Sequence, residues 1–192
     1  RDAEPMMLVA RSFDVNRPGA LPKDMQGGVL GGAVKQGVFK NGQEIEIRPG
    51  RKVEKSGKAA WLPIITKIVG LRTGGVSVAE ISPGGSVGIS TTLDPSIVKA
   101  DALAGTVVGI PGNLPPVWNE FRVEIHLLER VVGAKDNLVV EPLKVGETLM
   151  LNVNSSATVG IVAELKKSMV LLRLKLPVCA EAGSRVTLSR LL

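Results

Sequence analysis

Residues 37–48 read Gly37-Val38-Phe39-Lys40-Asn41-Gly42-Gln43-Glu44-Ile45-Glu46-Ile47-Arg48. The alternation after Gln43 has a period of two, which is typical of a β-strand with one buried face. Asn41-Gly42 supplies the two positive-φ positions of a type I′ turn, so the stretch predicts a β-hairpin. Because the apolar run before Asn41 is short, a bulged loop of about three to five residues is the alternative.

Similar stretches on both sides predict further strands. They cover residues 6–13, 63–71, 86–92, 105–110, 120–128, 148–153, 157–165, 170–175 and 185–188. Gly and Pro separate them, and at 22 and 12 of 192 residues they are too frequent for a helical bundle. This spacing favours small antiparallel barrels over βαβ units, so we predict an all-β chain.

One segment has the composition of a linker between two domains. It is Ile110-Pro111-Gly112-Asn113-Leu114-Pro115-Pro116, whose three prolines favour an extended backbone. We therefore predict a first β-barrel over residues 1–112 and a second over residues 113–192, each large enough for a small core.

The charge is modestly basic, which suits a polyanionic partner without requiring one. Lys and Arg number 24 against 18 Asp and Glu, a net charge of +6. The excess is concentrated in Arg48, Arg51, Lys52, Lys55 and Lys58, opposed only by Glu54. Aromatic residues make up 3% of the chain, with no Tyr. If nucleic acid binds, contacts to its backbone should therefore outweigh base stacking.

Composition also excludes several classes of site. One cysteine, Cys179, and one histidine, His126, form neither a disulfide framework nor a zinc site, so no metal site is predicted. No nucleophile motif accompanies His126, so no catalytic residue is predicted. No apolar run approaches the ~18 residues of a membrane span, and no signal peptide is evident, so we expect a cytoplasmic chain without a membrane partner.

Residues 55–58, Lys-Ser-Gly-Lys, resemble the end of a P-loop only superficially. Lys52 stands where the loop needs a glycine, and Ala59 stands where it needs a Ser or Thr to hold magnesium. We interpret the segment as a basic hairpin loop.

Three stretches of the sequence identify relatives more specifically than the composition does. They are Leu8-Val9-Ala10-Arg11-Ser12-Phe13-Asp14-Val15-Asn16-Arg17-Pro18-Gly19, Ser82-Pro83-Gly84-Gly85-Ser86-Val87-Gly88-Ile89 and Leu174-Lys175-Leu176-Pro177-Val178-Cys179-Ala180-Glu181. With residues 27–33, 42–50, 93–95, 127–133 and 149–153, they resemble the second and third domains of the gamma subunit of eukaryotic and archaeal translation initiation factor 2. These stretches occur in the same order as in that family along nearly the whole chain. Their sequence is more similar to the archaeal members than to the eukaryotic ones.

This resemblance implies two antiparallel β-barrels in tandem, as in the second and third domains of elongation factor Tu. It implies that a GTPase domain, which would bind GTP and Mg²⁺, precedes the chain, and that the second barrel lacks its last strand. The complete factor would carry initiator methionyl-tRNA to the small ribosomal subunit, together with alpha and beta subunits. GTP would press the absent domain onto the first barrel, and hydrolysis would loosen it.

The resemblance also implies where the tRNA lies. Its aminoacylated 3′ end would lie between the GTPase domain and the first barrel, against residues 31–37 and 84–92. Glycines there would let a terminal adenosine approach the main chain closely. The candidate tRNA-binding residues are Gly31, Gly32, Lys35, Lys40, Arg48, Gly84, Gly85 and Gly88.

The alpha subunit is expected on loops of the first barrel, at residues 16–26 and 72–77. The candidate docking residues are Arg17, Lys23, Asp24, Arg72 and Ser77. The basic loop at residues 48–58 could contact tRNA, ribosomal RNA or the alpha subunit. Two alternative functions stay open: the barrels of another translational GTPase, such as the selenocysteine-specific elongation factor, and a protein-interaction module that binds no nucleic acid.

Overall fold

A computed structural model describes residues 2–129 and 139–190. The strands of the first half are Met6–Phe13 (β1), Val29–Gln36 (β2), Phe39–Lys40 (β3), Glu44–Lys55 (β4), Lys58–Thr73 (β5), Val76–Val78 (β6), Glu80–Ile81 (β7), Val87–Thr91 (β8) and Val107–Gly109 (β9). The strands of the second half are Val117–Glu124 (β10), Thr148–Val153 (β11), Ser156–Lys166 (β12), Met169–Cys179 (β13) and Val186–Ser189 (β14). The described helices are Pro95–Val98 (α1) and 3₁₀ turns at Pro22–Asp24 and Lys99–Asp101. None of them is long and apolar enough to cross a membrane.

Six strands of the first half close into an antiparallel barrel. Their order is β4-β9-β1-β2-β8-β5, and pairing of β5 with β4 completes the ring, while β6 extends from β5. Closure removes the sheet edges, and alternate residues of each strand point inward. Val9, Leu30, Ile45, Ile68 and Ile89 are at most 1% exposed in this core. The prediction of an all-β chain is confirmed, and so is that of an antiparallel barrel in the first half.

The second half is a five-stranded antiparallel sheet. Its order is β10-β13-β12-β11-β14, so β10 and β14 are the edge strands among the described residues. Leu149, Leu151, Val162, Val170 and Leu172 form its core, and each is at most 2% exposed. The domain boundary after residue 112 and the missing last strand stay predictions.

The hairpin predicted at Asn41-Gly42 is wrong. β3 pairs with β7, whereas β4 pairs with β5 and β9, so the two strands flanking the turn join different sheets. Only Gly42 has a positive φ there, at 88°, so the turn is not type I′. The main chain at residues 42 and 43 instead bonds Ile68, through Gly42 N–H to O at 2.9 Å and Ile68 N–H to Gln43 O at 2.9 Å.

A type I′ turn does form in the segment that we interpreted as a basic hairpin loop. Ser56 and Gly57 have φ values of 53° and 71°, and Lys55 pairs directly with Lys58. Two consecutive positive φ angles match the twist of the flanking strands. The interpretation of residues 55–58 as a hairpin loop is therefore confirmed.

The linker is fixed between the two halves. Leu114 packs against Met6, Val107 and Cys179, and the Arg48 Nη1 group donates hydrogen bonds to the Leu114 and Pro115 carbonyls at 3.2 and 3.1 Å. Burial raises the pKa of the Cys179 thiol to about 11, as expected for a small residue packed at this contact. The two halves therefore share an apolar contact.

Candidate nucleic-acid interface

A row of four residues crosses the middle of the barrel on its outer face. Arg11 on β1 pairs with Gly31 on β2, Gly31 pairs with Gly88 on β8, and Gly88 pairs with Arg72 on β5. Neighbouring strands lie about 4.8 Å apart, so the two arginine backbones are separated by about 14 Å along the sheet. We call this row the glycine cradle: a floor of bare main chain between two arginines.

The fold itself does not require glycine at the two central positions. Neither residue has a positive φ. A Cβ at Gly31 would lie 3.7 Å from the Arg11 Cβ, and one at Gly88 would lie 4.0 Å from the Arg72 Cβ, which are ordinary contacts. Glycine within a strand costs about 0.5–1 kcal/mol relative to alanine. Unneeded glycines at such a place mark a close approach of something else to the backbone.

The other predicted glycines have a structural reason. A Cβ at Gly32 would lie 2.0 Å from the Leu8 carbonyl oxygen, where a bulge in β1 brings the two strands together. Gly84 and Gly85 have φ values of 130° and 71° with open space around them, so backbone conformation explains both. Of the glycines that sequence predicted for this surface, Gly31 and Gly88 are the two that the fold leaves unexplained.

Arg11 is held in place beside the floor. Its Nε donates a hydrogen bond to Asp101 Oδ1 at 2.9 Å, and the same oxygen accepts the Ser12 N–H at 3.0 Å. These two bonds hold the pKa of the Asp101 carboxyl below its usual range. The Arg11 side chain is still 69% exposed, and its Nη groups have no partner among the described residues. Asp101 thus orients the arginine without neutralising all of its donors.

The cradle opens at Gly31 into a groove of about 480 Å³. The β11–β12 turn of the second half forms its opposite side. Its lining includes Leu8, Arg11, Gly31, Ser86, Asn154 and Ser155. Phe13, which is 41% exposed, borders the same floor, and its Cε1 would lie 3.8 Å from a Cβ at Gly31. Both halves of the chain therefore contribute to this surface.

The three predicted cations do not gather at the cradle. Lys35 is exposed, at the far end of β2, and Lys40 is exposed in the separate β3–β7 sheet. Arg48 is directed elsewhere, because its Nε bonds Glu46 Oε1 at 2.9 Å and its Nη1 bonds the linker carbonyls. Arg48 therefore holds the linker and does not face the cradle.

The predicted docking segments lie at opposite ends of the barrel strands. Residues 16–26 follow the Phe13 end of β1, where the Asn16 side chain accepts the Gln26 N–H at 2.6 Å and donates to the Gln26 carbonyl at 2.8 Å. Arg17, Lys23 and Asp24 are exposed on this loop. Arg72 and Ser77 pair with each other beside the turn at Gly74-Gly75, at the other end.

Arg11 and Asp101 are functional candidates that sequence reasoning missed. Arg11 lies in residues 8–19, which carry the family resemblance, but no cluster of basic residues around it indicated a binding role. Asp101 belongs to no recognisable motif, and it has a φ of 57° in the turn after α1, where its carboxylate accepts the Ser12 N–H from β1. The Asp94-Pro95 pair could have predicted α1, since Asp94 Oδ1 caps the Ser96 N–H at 2.8 Å.

Comparison with known proteins identifies the family. Residues 119–192 match the family model described as "Initiation factor eIF2 gamma, C terminal". Over 189 residues the chain is 52% identical to the translation initiation factor 2 subunit gamma of Methanocaldococcus jannaschii, which covers 98% of this chain and 46% of that protein. Over 186 residues it is 55% identical to the Pyrococcus furiosus subunit, covering 97% and 45%. The chain belongs to the initiation factor 2 gamma family.

The predicted family membership is thus confirmed, and the chain spans about half the length of the curated relatives that it matches. A bacterial selenocysteine-specific elongation factor has the same fold, with a TM-score of 0.67 over 97% of this chain and 26% of that one. Its sequence identity is 19%, so the likeness concerns the fold alone. The alternative assignment to that elongation factor is not supported.

The described residues of this gamma-family chain do not fit GTP or Mg²⁺. Lys55 to Lys58 form a two-residue turn between two strands, whereas a phosphate-binding loop leads from a strand into a helix. Among residues 2–129 and 139–190 no three His, Cys, Asp or Glu side chains cluster as metal ligands would. His126 lies 3.9 Å from Glu124 on an open surface, with no nucleophile assigned to it.

Proposed function

We propose that this chain supplies one wall of the site that holds the acceptor end of initiator methionyl-tRNA. The observation that carries the proposal is the glycine cradle, with Gly31 and Gly88 between Arg11 and Arg72. Bare main chain lets a ribose or base lie close to the sheet, and flanking guanidinium groups pair with phosphates. The parent factor would be a GTPase whose GTP and Mg²⁺ lie outside these residues.

The physical basis favours the RNA backbone over the bases. The chain has 3% aromatic residues, and Phe13 is the one that borders the cradle among the residues that the structure describes. Stacking is therefore limited, and phosphate contacts dominate, so affinity should fall steeply with salt. We expect the chain alone to bind methionyl-tRNA weakly, with a dissociation constant of about 10⁻⁶–10⁻⁴ M at physiological salt. Tight, methionine-selective and salt-insensitive binding would contradict the role of a passive wall.

Nuclease footprinting of initiator methionyl-tRNA tests the site. With the wild-type chain, protection should centre on the 3′-terminal nucleotides. Gly88→Val fills the floor with two methyl groups and should abolish that protection, and Arg72→Gln should weaken it. Thr148→Val on β11 and Lys67→Gln on β5 are the controls, because both positions are exposed and lie away from the cradle. Equal loss in variant and control, or no protection by the wild type, would refute the assignment.

We also propose that the alpha subunit docks on residues 14–26. Val15, Leu21 and Met25 are 44%, 57% and 44% exposed, although the reciprocal Asn16–Gln26 bonds fix the loop. Apolar side chains on a fixed loop suit a protein partner. Arg72 lies in the cradle row, and Ser77 pairs with it on β6, so neither residue belongs to this second surface.

Capture of the purified alpha subunit tests this second surface. Leu21→Ser should reduce capture, whereas Leu62→Ser, at a comparably exposed position of β5, should not. Capture of the alpha subunit without any protection of tRNA would instead favour a protein-interaction module. Contacts with the beta subunit and the small ribosomal subunit stay predictions of the family resemblance.

A further inference from the structure

The distal part of the β4–β5 hairpin projects from the barrel. Residues 51–55 of β4 and 58–62 of β5 pair only with each other, beyond a register break between Ile47 and Arg51. None of residues 51–62 is buried, whereas Ile45, Ile47 and Gly50 just before them are. We call residues 51–62 the hairpin arm. Its five-residue strands reach about 16 Å from the barrel.

The arm is strongly basic and its cations are unpaired. Four cations face one acid, Glu54, and all of these side chains are exposed. The cations are Arg51, Lys52, Lys55 and Lys58. None of them has a carboxylate within 4.0 Å among the described residues. A solvated surface of balanced composition would interleave charges of both signs, which this arm does not.

The tip of the arm places two like charges together. Lys55 and Lys58 are direct cross-strand partners, so their side chains leave the ribbon on the same face. Like charges at such a pair destabilise a hairpin. The turn does not need them, because Ser56 and Gly57 alone adopt its two positive φ angles. An anion held between the two ammonium groups would relieve this repulsion.

We propose that the hairpin arm binds the phosphate backbone of RNA. Cross-strand pairing puts Arg51, Lys55 and Lys58 on one face, and Lys52 lies on the other face with its partner Trp61. A row of exposed cations along a narrow ribbon is what contact with successive phosphates requires, without base readout. The site is separate from the cradle, so the inference goes beyond the function proposed above.

The same observations disfavour the other anionic partners. A protein interface is centred on aromatic and apolar side chains, and a membrane-surface element needs an apolar face. The outer part of the arm, residues 53–60, contains only Val53, Ala59 and Ala60 as apolar side chains. Trp61 and Leu62 lie at its base. Charge is therefore the one strong feature that the tip offers.

Salt-dependent binding of a blunt RNA duplex tests the arm. The probe is a labelled duplex of about 16 base pairs, titrated with the 192-residue chain between about 50 and 200 mM KCl. A variant with R51Q, K52Q, K55Q and K58Q should reduce the slope of log K against log salt by about 3. The matched control carries K166Q, K167Q, K175Q and R185Q, which are four exposed cations of the second half. Both variants lower the net charge from +6 to +2. The control should nevertheless keep most of the wild-type slope, because its substitutions lie outside the arm.

Further measurements keep the outcome unambiguous. Thermal melting should be similar in both variants, because no arm residue is buried. K55E with K58E gives the same net charge of +2 with both changes at the tip, and it should also reduce the slope. Equal loss of slope in the arm variant and the control would overturn the inference, as would an unchanged arm variant. Arm-dependent binding to polyglutamate or to phosphatidylserine vesicles that exceeds binding to the duplex would also overturn it. Gly88→Val should leave duplex binding intact, so failure of the cradle and failure of the arm are distinguishable.

Discussion

Strand β2 carries two adjacent glycines whose surroundings differ completely. At Gly32 a Cβ would lie 2.0 Å from the Leu8 carbonyl oxygen, so the crossing with β1 requires glycine. At Gly31 the nearest atom would be 3.7 Å away, and the opposite glycine, Gly88, has 4.0 Å of clearance. The first region is glycine-rich because two backbones meet there. The second is glycine-rich for no reason within the described residues, which is why we assign it to a ligand.

The largest expected effect is that of Gly32→Ala. Its Cβ would overlap main chain, which cannot rotate away, so we expect a loss of about 3 kcal/mol of unfolding free energy. For a chain of this size that corresponds to a fall in melting temperature of about 6–12 °C. Differential scanning calorimetry of Gly32→Ala beside Gly31→Ala makes the comparison within one strand. If the two variants had similar melting temperatures, Gly32 would not be more important for the fold than Gly31.

The next largest loss of stability is expected at Gly85, where the backbone conformation alone, and no steric clash, favours glycine. Its φ of 71° is unfavourable for alanine, although a Cβ there would meet open space. Gly85→Ala should lose about 1–2 kcal/mol, and Gly85→Asn should lose less, because Asn tolerates the left-handed region. Urea denaturation measures both. If the asparagine variant were the less stable of the two, backbone conformation would not be the reason for this glycine.

A gain in stability is expected at the cradle. Gly31→Ala and Gly88→Ala should each stabilise the chain by about 0.5–1 kcal/mol, because alanine loses less entropy in a strand and has room. The midpoint of urea unfolding should rise without a change in its slope. A loss of stability at both positions would mean that the fold does require these glycines, and the argument for a ligand would fail.

The smallest effect concerns Asp101, which orients Arg11. Hydrogen bonds from Arg11 and Ser12 lower its folded-state pKa, so its contribution to stability is present above the unfolded value of about 3.9 and is lost as the pH falls through the lower, folded value. Asp101→Asn should therefore melt slightly below the wild type at pH 7, and the difference should shrink in acid. A difference that stays constant down to about pH 2 would contradict a role for the carboxylate charge.

The sequence was most informative where one face of a strand is buried along its length. The predicted strands at residues 6–13 and 148–153 have the bounds of β1 and β11. In β11 the buried Leu149 and Leu151 alternate with exposed neighbours, whereas in β1 the buried Met7 and Val9 flank the half-buried Leu8. Residues 86–92 were predicted one residue too long at each end, because Ser86 and Thr92 flank the ladder without joining it.

The candidate site could be predicted only in part. Its glycines stood out because glycine in strands is conspicuous, and the family resemblance gave them a role. The cations of the site were not predicted correctly. Lys35, Lys40 and Arg48 are near the glycines in the sequence, but their side chains lie in three different surroundings. Arg11 and Arg72 come from strands that flank β2 and β8 in the sheet, and strand neighbours are set by the ring order.

Local patterning alone determined that this chain is β-rich, where most of its strands run, and that one hairpin tip is basic, because alternation and turn chemistry depend on adjacent residues. Strand partners are chosen by long-range burial, so only the tertiary structure decided that Asn41-Gly42 separates two sheets and that two arginines flank Gly31 and Gly88. The tertiary structure also distinguished Gly32 from Gly31. A clash between a side chain and a neighbouring strand cannot be recognised from the sequence of one strand, because it depends on which strands the barrel brings together.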